Sequence, residues 1–191
     1  VAPLGAYQVV ILDNADQAGV LGYHQLTAEG LPLGKVFFDA AQGNPRWISK
    51  ALSHELLEML TDPDVNTFKI GPVPSGGAGG DFWLVEICDP CNAWGYATSN
   101  QTWVSDFVTP EYFEGSTGKA PFSKTGACKK PYDLPFGGYM PVYRIVDGHL
   151  TFVMLQAQHA FPTGADTLLT TPAPRGGGRR ELRQTLGFGG D

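Results

Sequence analysis

The strongest structural constraint in this chain is a helix whose two ends are marked in the sequence. Asn44-Pro45 is a good helix start, because the Asn side chain can accept a hydrogen bond from a free first-turn amide and Pro suits the first helical position. Asp62-Pro63 is a good stop, because a residue that precedes Pro disfavours helical backbone. We therefore predict one long helix from Pro45 to about Thr61.

The polar side chains of this helix are not distributed as on a surface helix. At about 100° per residue, His54, Glu55 and Glu58 share one sector of about 100° that adjoins the apolar sector. The apolar sector comprises Ile48, Leu52, Leu56 and Met59. An ordinary surface helix places its acidic side chains opposite the core. Polar side chains beside a buried face need partners, and a metal ion can supply one.

The spacing of the polar residues predicts a metal-binding motif. His54 and Glu58 are four residues apart, so both side chains lie over one helical turn and can bind the same ion. Glu55 points away from them, which suits a general base that takes a proton from metal-activated water. Zinc peptidases have the pattern His-Glu-x-x-His, whereas Glu58 stands here at the second ligand position.

A third metal ligand must come from outside the motif, and several carboxylates are candidates. Asp64 lies ten residues after His54, a spacing used where a turn follows the zinc helix at once. Asp62 shares the helix face but lies about 12 Å along the axis from His54. Glu86 stands inside a predicted apolar strand, where its burial needs an explanation, so we predict Glu86 as the third ligand. Asp89 is a candidate to orient His54.

Strand signals accompany the helix and predict an α+β fold. Apolar runs bounded by turn residues predict strands at residues 7–12, 35–38, 82–88 and 102–108. Residues 142–146 and 150–155 are predicted to form a hairpin, because Asp147-Gly148 favours a tight turn. His24 follows Gly22 in a turn-rich region and is not expected to be a ligand. The 25 Gly and 15 Pro residues predict many ordered loops.

Length and composition predict one domain followed by a tail. The chain has 191 residues, of which 42% are hydrophobic, so it is long enough for one core and short for two. We expect the metal-binding domain to occupy residues 1–161. Residues 162–191 are rich in Pro, Gly and Arg without apolar periodicity, so we expect an irregular tail that either packs on a partner in a protein assembly or stays mobile.

Charge and hydropathy exclude two classes of partner. The net charge of −6 argues against DNA or RNA as the main ligand, since phosphate contacts need a basic face. No stretch approaches the ~18 consecutive apolar residues of a membrane span, so no membrane partner is expected. The three cysteines, Cys88, Cys91 and Cys128, leave three states open: one disulfide in which Cys128 pairs with either of the others, three free thiols, or a metal site.

Two motifs taken together resemble those of a known group of proteins. The helix motif His54-Glu55-Leu56-Leu57-Glu58 is followed by Asp62-Pro63 and later by Glu86-Ile87-x-Asp89-x-Cys91. This pair resembles a signature of zincin-like proteins from phages and prophages and from the plant Exordium (phosphate-induced) group. The resemblance implies a zincin-like fold, in which a mixed sheet packs on one active-site helix. It also implies one metal ion, held by His54, Glu58 and either Glu86 or Asp89.

Two functions follow as hypotheses. The first is a zinc-dependent hydrolase that acts on a peptide or protein, with Glu55 as general base; another divalent cation could replace zinc. The second is a structural or assembly protein, such as a bacteriophage virion component, whose zincin-like domain holds a structural metal or none. The Gly/Pro-rich loops and the arginine-bearing tail fit such an assembly. An extracellular or virion-associated location is expected over a cytoplasmic one.

Overall fold

The structure, a computed structural model, describes residue 3, residues 5–73 and residues 80–157. These residues divide into two compact units. Unit 1 comprises the described residues up to Asn66 together with Gly95–Ser105, and unit 2 comprises those from Thr67 to Trp94 and from Asp106 onward. The predicted domain boundary at residue 161 and the predicted tail of residues 162–191 lie outside the described residues.

Unit 1 contains a three-stranded mixed sheet. Its strands are β1 (Gln8–Leu12), β2 (Gly22–Leu26) and β3 (Pro32–Phe37), in the order β1-β3-β2. β1 runs parallel to β3, whereas β2 is antiparallel to it. The predicted strands at residues 7–12 and 35–38 are confirmed by β1 and β3. The turn-rich assignment of the Gly22 region is wrong, because these residues pair along their whole length with β3.

The long helix of unit 1, α1 (Pro45–Thr61), has the predicted bounds. The Asn44 side chain accepts a hydrogen bond from the Arg46 amide at 3.0 Å, which satisfies one free donor of the first turn. At the other end, the Asp62 amide donates to the Glu58 carbonyl at 2.8 Å. Local capping chemistry therefore sets both ends of the helix.

A small hairpin fixes one side of the helix. Strands β6 (Gly95–Ala97) and β7 (Trp103–Ser105) form a two-stranded antiparallel sheet, and α1 packs against β7. The Ser53 hydroxyl accepts a hydrogen bond from the Ser105 amide at 2.9 Å, and the Ser49 hydroxyl donates to the Trp103 carbonyl at 2.9 Å. These two bonds anchor the middle of the helix to the hairpin.

The buried face of α1 is its polar face. The buried side chains are those of Lys50, Ala51, His54, Glu55, Glu58 and Met59. Leu56 and Leu60 are instead 40% and 63% exposed. The expected burial of the polar motif is confirmed. The expected burial of Leu56 is wrong, because the helix turns its carboxylates and its histidine inward.

Two glycines let α1 approach the sheet closely. A Cβ atom at Gly34 of β3 would lie 2.9 Å from Met59 Sδ and 3.3 Å from Glu55 Cβ. A Cβ atom at Gly22 of β2 would lie 2.9 Å from Glu55 Oε1 and 2.8 Å from the Lys35 carbonyl oxygen. Real side chains do not pack at such distances. The absence of side chains at these positions therefore makes room for Glu55.

Unit 2 is built on a four-stranded antiparallel sheet. Its strands are β4 (Phe68–Gly71), β5 (Asp81–Leu84), β8 (Tyr139–Val146) and β9 (His149–Gln156), in the order β4-β5-β8-β9. The predicted hairpin is confirmed by β8 and β9. Asp147 and Gly148 both have positive φ angles, of 50° and 78°, as a tight primed turn requires.

Two predicted strands are shorter than expected. The strand expected at residues 102–108 is limited to β7 (Trp103–Ser105). The expected strand of residues 82–88 ends at Leu84 in β5, so Glu86 lies beyond the strand and not within it. The chain instead enters a 3₁₀ turn at Asp89–Cys91, where Pro90 provides no amide hydrogen for sheet pairing. The apolar run continues past Leu84 because residues that follow the strand, such as Val85 and Cys88, are buried in a loop.

The described residues thus form an α+β protein with many loops, as predicted, in which one mixed sheet packs on one long helix. Among these residues, no helix has the length and apolar character needed to cross a membrane.

The close approach at Gly34 can be tested by a double-mutant cycle. Gly34→Ala should lower the free energy of unfolding by about 1–3 kcal/mol, because the new methyl group collides with Met59. In a Met59→Ala background the same change should cost less, since the sulfur atom is gone. Urea unfolding of the four proteins measures both effects. Additive losses would contradict the predicted contact.

Candidate metal centre

Three ionisable side chains of unit 1 converge between β2 and α1. His24 of β2 places Nδ1 at 3.3 Å from Glu55 Oε2 and at 3.5 Å from Glu58 Oε2. The possible ligand atoms of these three residues all lie within 4.8 Å of one another. The three side chains are between 3% and 7% exposed. This group of atoms could hold a metal ion.

A second histidine joins them from the helix itself. His54 Nε2 lies 3.3 Å from Glu58 Oε2, which is the contact that their four-residue spacing predicts. Glu58 Oε2 therefore faces one imidazole from the helix and one from the sheet. We call His24, His54, Glu55 and Glu58 the His–Glu cluster.

Neighbouring residues of unit 1 orient the two imidazoles. His24 pairs with Gly34 in the β2–β3 register, so no side chain stands opposite it on the sheet. His54 Nδ1 lies 3.5 Å from the Ser105 hydroxyl oxygen, and Ser105 is fully buried in β7. A partner on Nδ1 leaves Nε2 directed toward Glu58, which is how ring orientation is set in metal-binding histidines.

Burial makes ionisation of the two carboxylates in the cluster energetically unfavourable. Glu55 and Glu58 are 5% and 3% exposed, and ionised carboxylates removed from water need a compensating charge. One divalent cation bound by His24, Glu55 and Glu58 would neutralise both carboxylates.

The distances in the cluster fit shared coordination better than direct hydrogen bonds. Hydrogen bonds between charged groups are about 2.7–2.9 Å long. The three His–Glu distances are 3.3, 3.3 and 3.5 Å. Ligand atoms at about 2.0–2.1 Å from a tetrahedral zinc ion are about 3.3–3.5 Å apart. These three distances are therefore compatible with a metal ion bound between the side chains.

His54 and Glu58 share one side of the helix, as their spacing predicts, and their roles as ligands stay predictions. Glu55 was expected to point away from these two residues and to act as general base, which also stays a prediction. Its Oε2 contacts His24, because β2 passes along this side of α1.

The other predicted candidates belong to the end of α1, to the turn after it, or to unit 2. Asp62 caps α1 and is buried, whereas Asp64 is exposed in the turn that follows. Glu86 and Asp89 belong to unit 2, where Glu86 is 8% exposed and Asp89 begins the 3₁₀ turn. Glu86 as third ligand, and Asp89 in its place or as a partner that orients His54, stay predictions.

The sequence prediction missed His24. The signal was weak, because Gly22 two residues earlier indicates a turn, and only the register with β3 shows a strand. Ser105 was also missed, since a lone Ser in a short strand carries no pattern. In both cases the contact with α1 joins distant parts of the chain.

Comparison with models of protein families, with curated proteins and with solved structures found no match to this chain. The interpretation of the His–Glu cluster as a possible metal site therefore depends on its geometry alone.

Metal binding by the cluster predicts a ligand-dependent gain in stability. Added Zn²⁺ should raise the melting temperature of the metal-free protein, since an ion at a hundredfold excess over its Kd stabilises the folded state by roughly 2.7 kcal/mol. His24→Ala should remove most of this gain. His149→Ala is the matched control, because His149 is exposed at the start of β9. An equal gain in His24→Ala and in the wild type would exclude His24 as a ligand.

Proposed function

We propose that this protein is a zinc-dependent hydrolase whose metal ion is held in unit 1 by His24, His54 and Glu58, with Glu55 as general base. Glu58 Oε2 lies 3.5 Å from His24 Nδ1 and 3.3 Å from His54 Nε2, and these two contacts of one buried carboxylate with two imidazoles carry the proposal. In this proposal α1 is the metal-binding helix of a zincin-like fold.

The donor set favours zinc over the other common divalent ions. Two imidazole nitrogens with carboxylate oxygens are donors that zinc accepts in a tetrahedral site. Calcium and magnesium prefer sites composed only of oxygen atoms. The cluster combines both donor types within 4.8 Å in the group of His24, Glu55 and Glu58.

Glu55 is the residue proposed to move protons. A bound zinc ion lowers the pKa of a coordinated water toward neutrality and polarises a carbonyl group. Glu55 has its Oε2 beside His24 and is 5% exposed, so its position is set by packing and not by solvent. From there it can accept a proton from the attacking water and return it to the leaving group. A peptide bond is the substrate that the zincin-like resemblance implies.

One observation favours the alternative, a structural metal in an assembly protein. All four side chains of the cluster are less than one-tenth exposed, and Glu55 belongs with His24 and Glu58 to a group whose ligand atoms lie within 4.8 Å of one another. Structural zinc sites are closed by four protein ligands, whereas catalytic sites keep one position open. In this alternative Glu55 is the fourth ligand and not a base.

Glu55→Gln distinguishes the two functions. If Glu55 is the base, the variant should retain about one zinc ion per chain and lose peptide hydrolysis by a factor of about 10² or more. If Glu55 is a structural ligand, zinc affinity should itself fall. Zinc content is measured by plasma mass spectrometry, and hydrolysis with a fluorogenic peptide library. Glu29→Gln is the matched control, because Glu29 is exposed in the turn between β2 and β3.

His54→Ala supplies the complementary test. This variant should lose zinc under either function, because His54 contacts Glu58 in both. Wild-type protein purified without chelators that contains no zinc, and takes up none on dialysis, would overturn both versions of the site.

A further inference from the structure

Unit 1 contains a cleft that is separate from the His–Glu cluster. It lies between the start of α1 and the β6–β7 hairpin, and its volume is about 630 Å³. Sites for small ligands usually have volumes of roughly 300–1,000 Å³. Of the described residues that line the cleft, Arg46 alone carries a charge, whereas the others include Asn44, Asn100, Gln101 and Trp103. The cleft is therefore large enough for a ligand, and the one charge in its lining is positive.

Trp103 holds the Arg46 side chain in place. The guanidinium carbon lies over the indole ring, 3.6 Å from its centroid, which is a close cation–π contact. The indole is itself closely packed, since a Cβ atom at Gly95 would lie 2.8 Å from Trp103 Nε1. Among the residues that the structure describes, no oxygen atom accepts a hydrogen bond from the guanidinium. Trp103 therefore orders a guanidinium whose N–H donors can bind a ligand.

Two amide side chains add further donors to the lining. Asn44 Oδ1 accepts a hydrogen bond from the Arg46 amide at 3.0 Å. Asn100 Oδ1 accepts from the Thr98 hydroxyl, and from the Thr102 amide at 3.4 Å. Because both oxygen atoms already accept hydrogen bonds, the amino groups of the two side chains are the parts suited to a ligand. The cleft thus combines N–H donors with one positive charge, which favours an anionic ligand.

We propose that this cleft binds the C-terminal carboxylate of a peptide, with Arg46 as its charged partner. A guanidinium pairs with a carboxylate through two parallel hydrogen bonds, and one positive charge balances one carboxylate. A phosphate dianion or a dicarboxylate would need a second cation, which the described lining residues do not provide. Neutral lining residues such as Gln101 and Thr102 can hydrogen-bond to the peptide groups that precede the carboxylate. This binding needs no metal ion and is therefore independent of the His–Glu cluster.

Nuclear magnetic resonance of the full chain tests this binding. The probe is a library of N-acetylated pentapeptides of uncharged residues, with either a carboxylate or an amide at the C-terminus. EDTA is present, so that a metal ion at the His–Glu cluster contributes nothing. We expect the carboxylate library to shift the assigned Arg46 Nε–H resonance and the amide library to leave it in place. Equal shifts with both libraries, or no shift with either, would overturn the proposal.

Titration calorimetry on variants tests the role of Arg46. Arg46→Gln should weaken binding of the carboxylate library about tenfold to a hundredfold, because the charged hydrogen bonds of the pair are lost. Lys119→Gln is the matched control, since it removes the same charge from an exposed loop of unit 2 and should bind like the wild type. Unchanged affinity in Arg46→Gln would refute the role of Arg46.

Small anions distinguish a peptide from other sources of negative charge. Succinate and inorganic phosphate should bind the wild type more weakly than the carboxylate library, because neither carries peptide groups for the neutral part of the lining. Tighter binding of either anion would refute the assignment to a peptide C-terminus. The comparison of the two libraries on the wild type decides the matter even if Arg46→Gln does not fold.

Discussion

The burial of charged groups on one face of α1 is the constraint on which unit 1 depends. Glu55 and Glu58 are turned inward, and histidines from the helix and from β2 surround them. The cost of removing two carboxylates from water has to be offset by partners within reach. The glycines at positions 22 and 34 make room for Glu55. A cation bound at the His–Glu cluster would balance the negative charge of these two buried carboxylates.

The same arrangement explains why apolar side chains of the helix are exposed. A helix that turns its polar face inward must present Leu56 and Leu60 to solvent, where they contribute little to folding. A helix selected for stability alone would show the reverse pattern. The observed orientation is therefore better explained by a site than by a core. Proteins commonly break a packing rule at functional positions, and α1 breaks it at His54, Glu55 and Glu58.

Much of the fold was predictable wherever the signal was local. The Asn44 cap, Asp62-Pro63 and the Asp147-Gly148 turn act on their immediate neighbours, so the helix has the expected bounds and the hairpin has the expected turn. The strand predicted through Cys88 ended early, because an apolar run in a buried loop resembles a strand. β2 was missed, since its strand character comes from pairing with β3 and not from its own residues.

The sequence by itself determined that α1 exists, where it begins and ends, and that His54 and Glu58 share one helical turn. These properties follow from capping and from helical periodicity, which act within a few residues. Only the tertiary structure decided that the polar face points inward and that Glu55 lies beside His24. Each of these contacts joins residues far apart in the chain, and chain folding rather than local propensity brings such residues together.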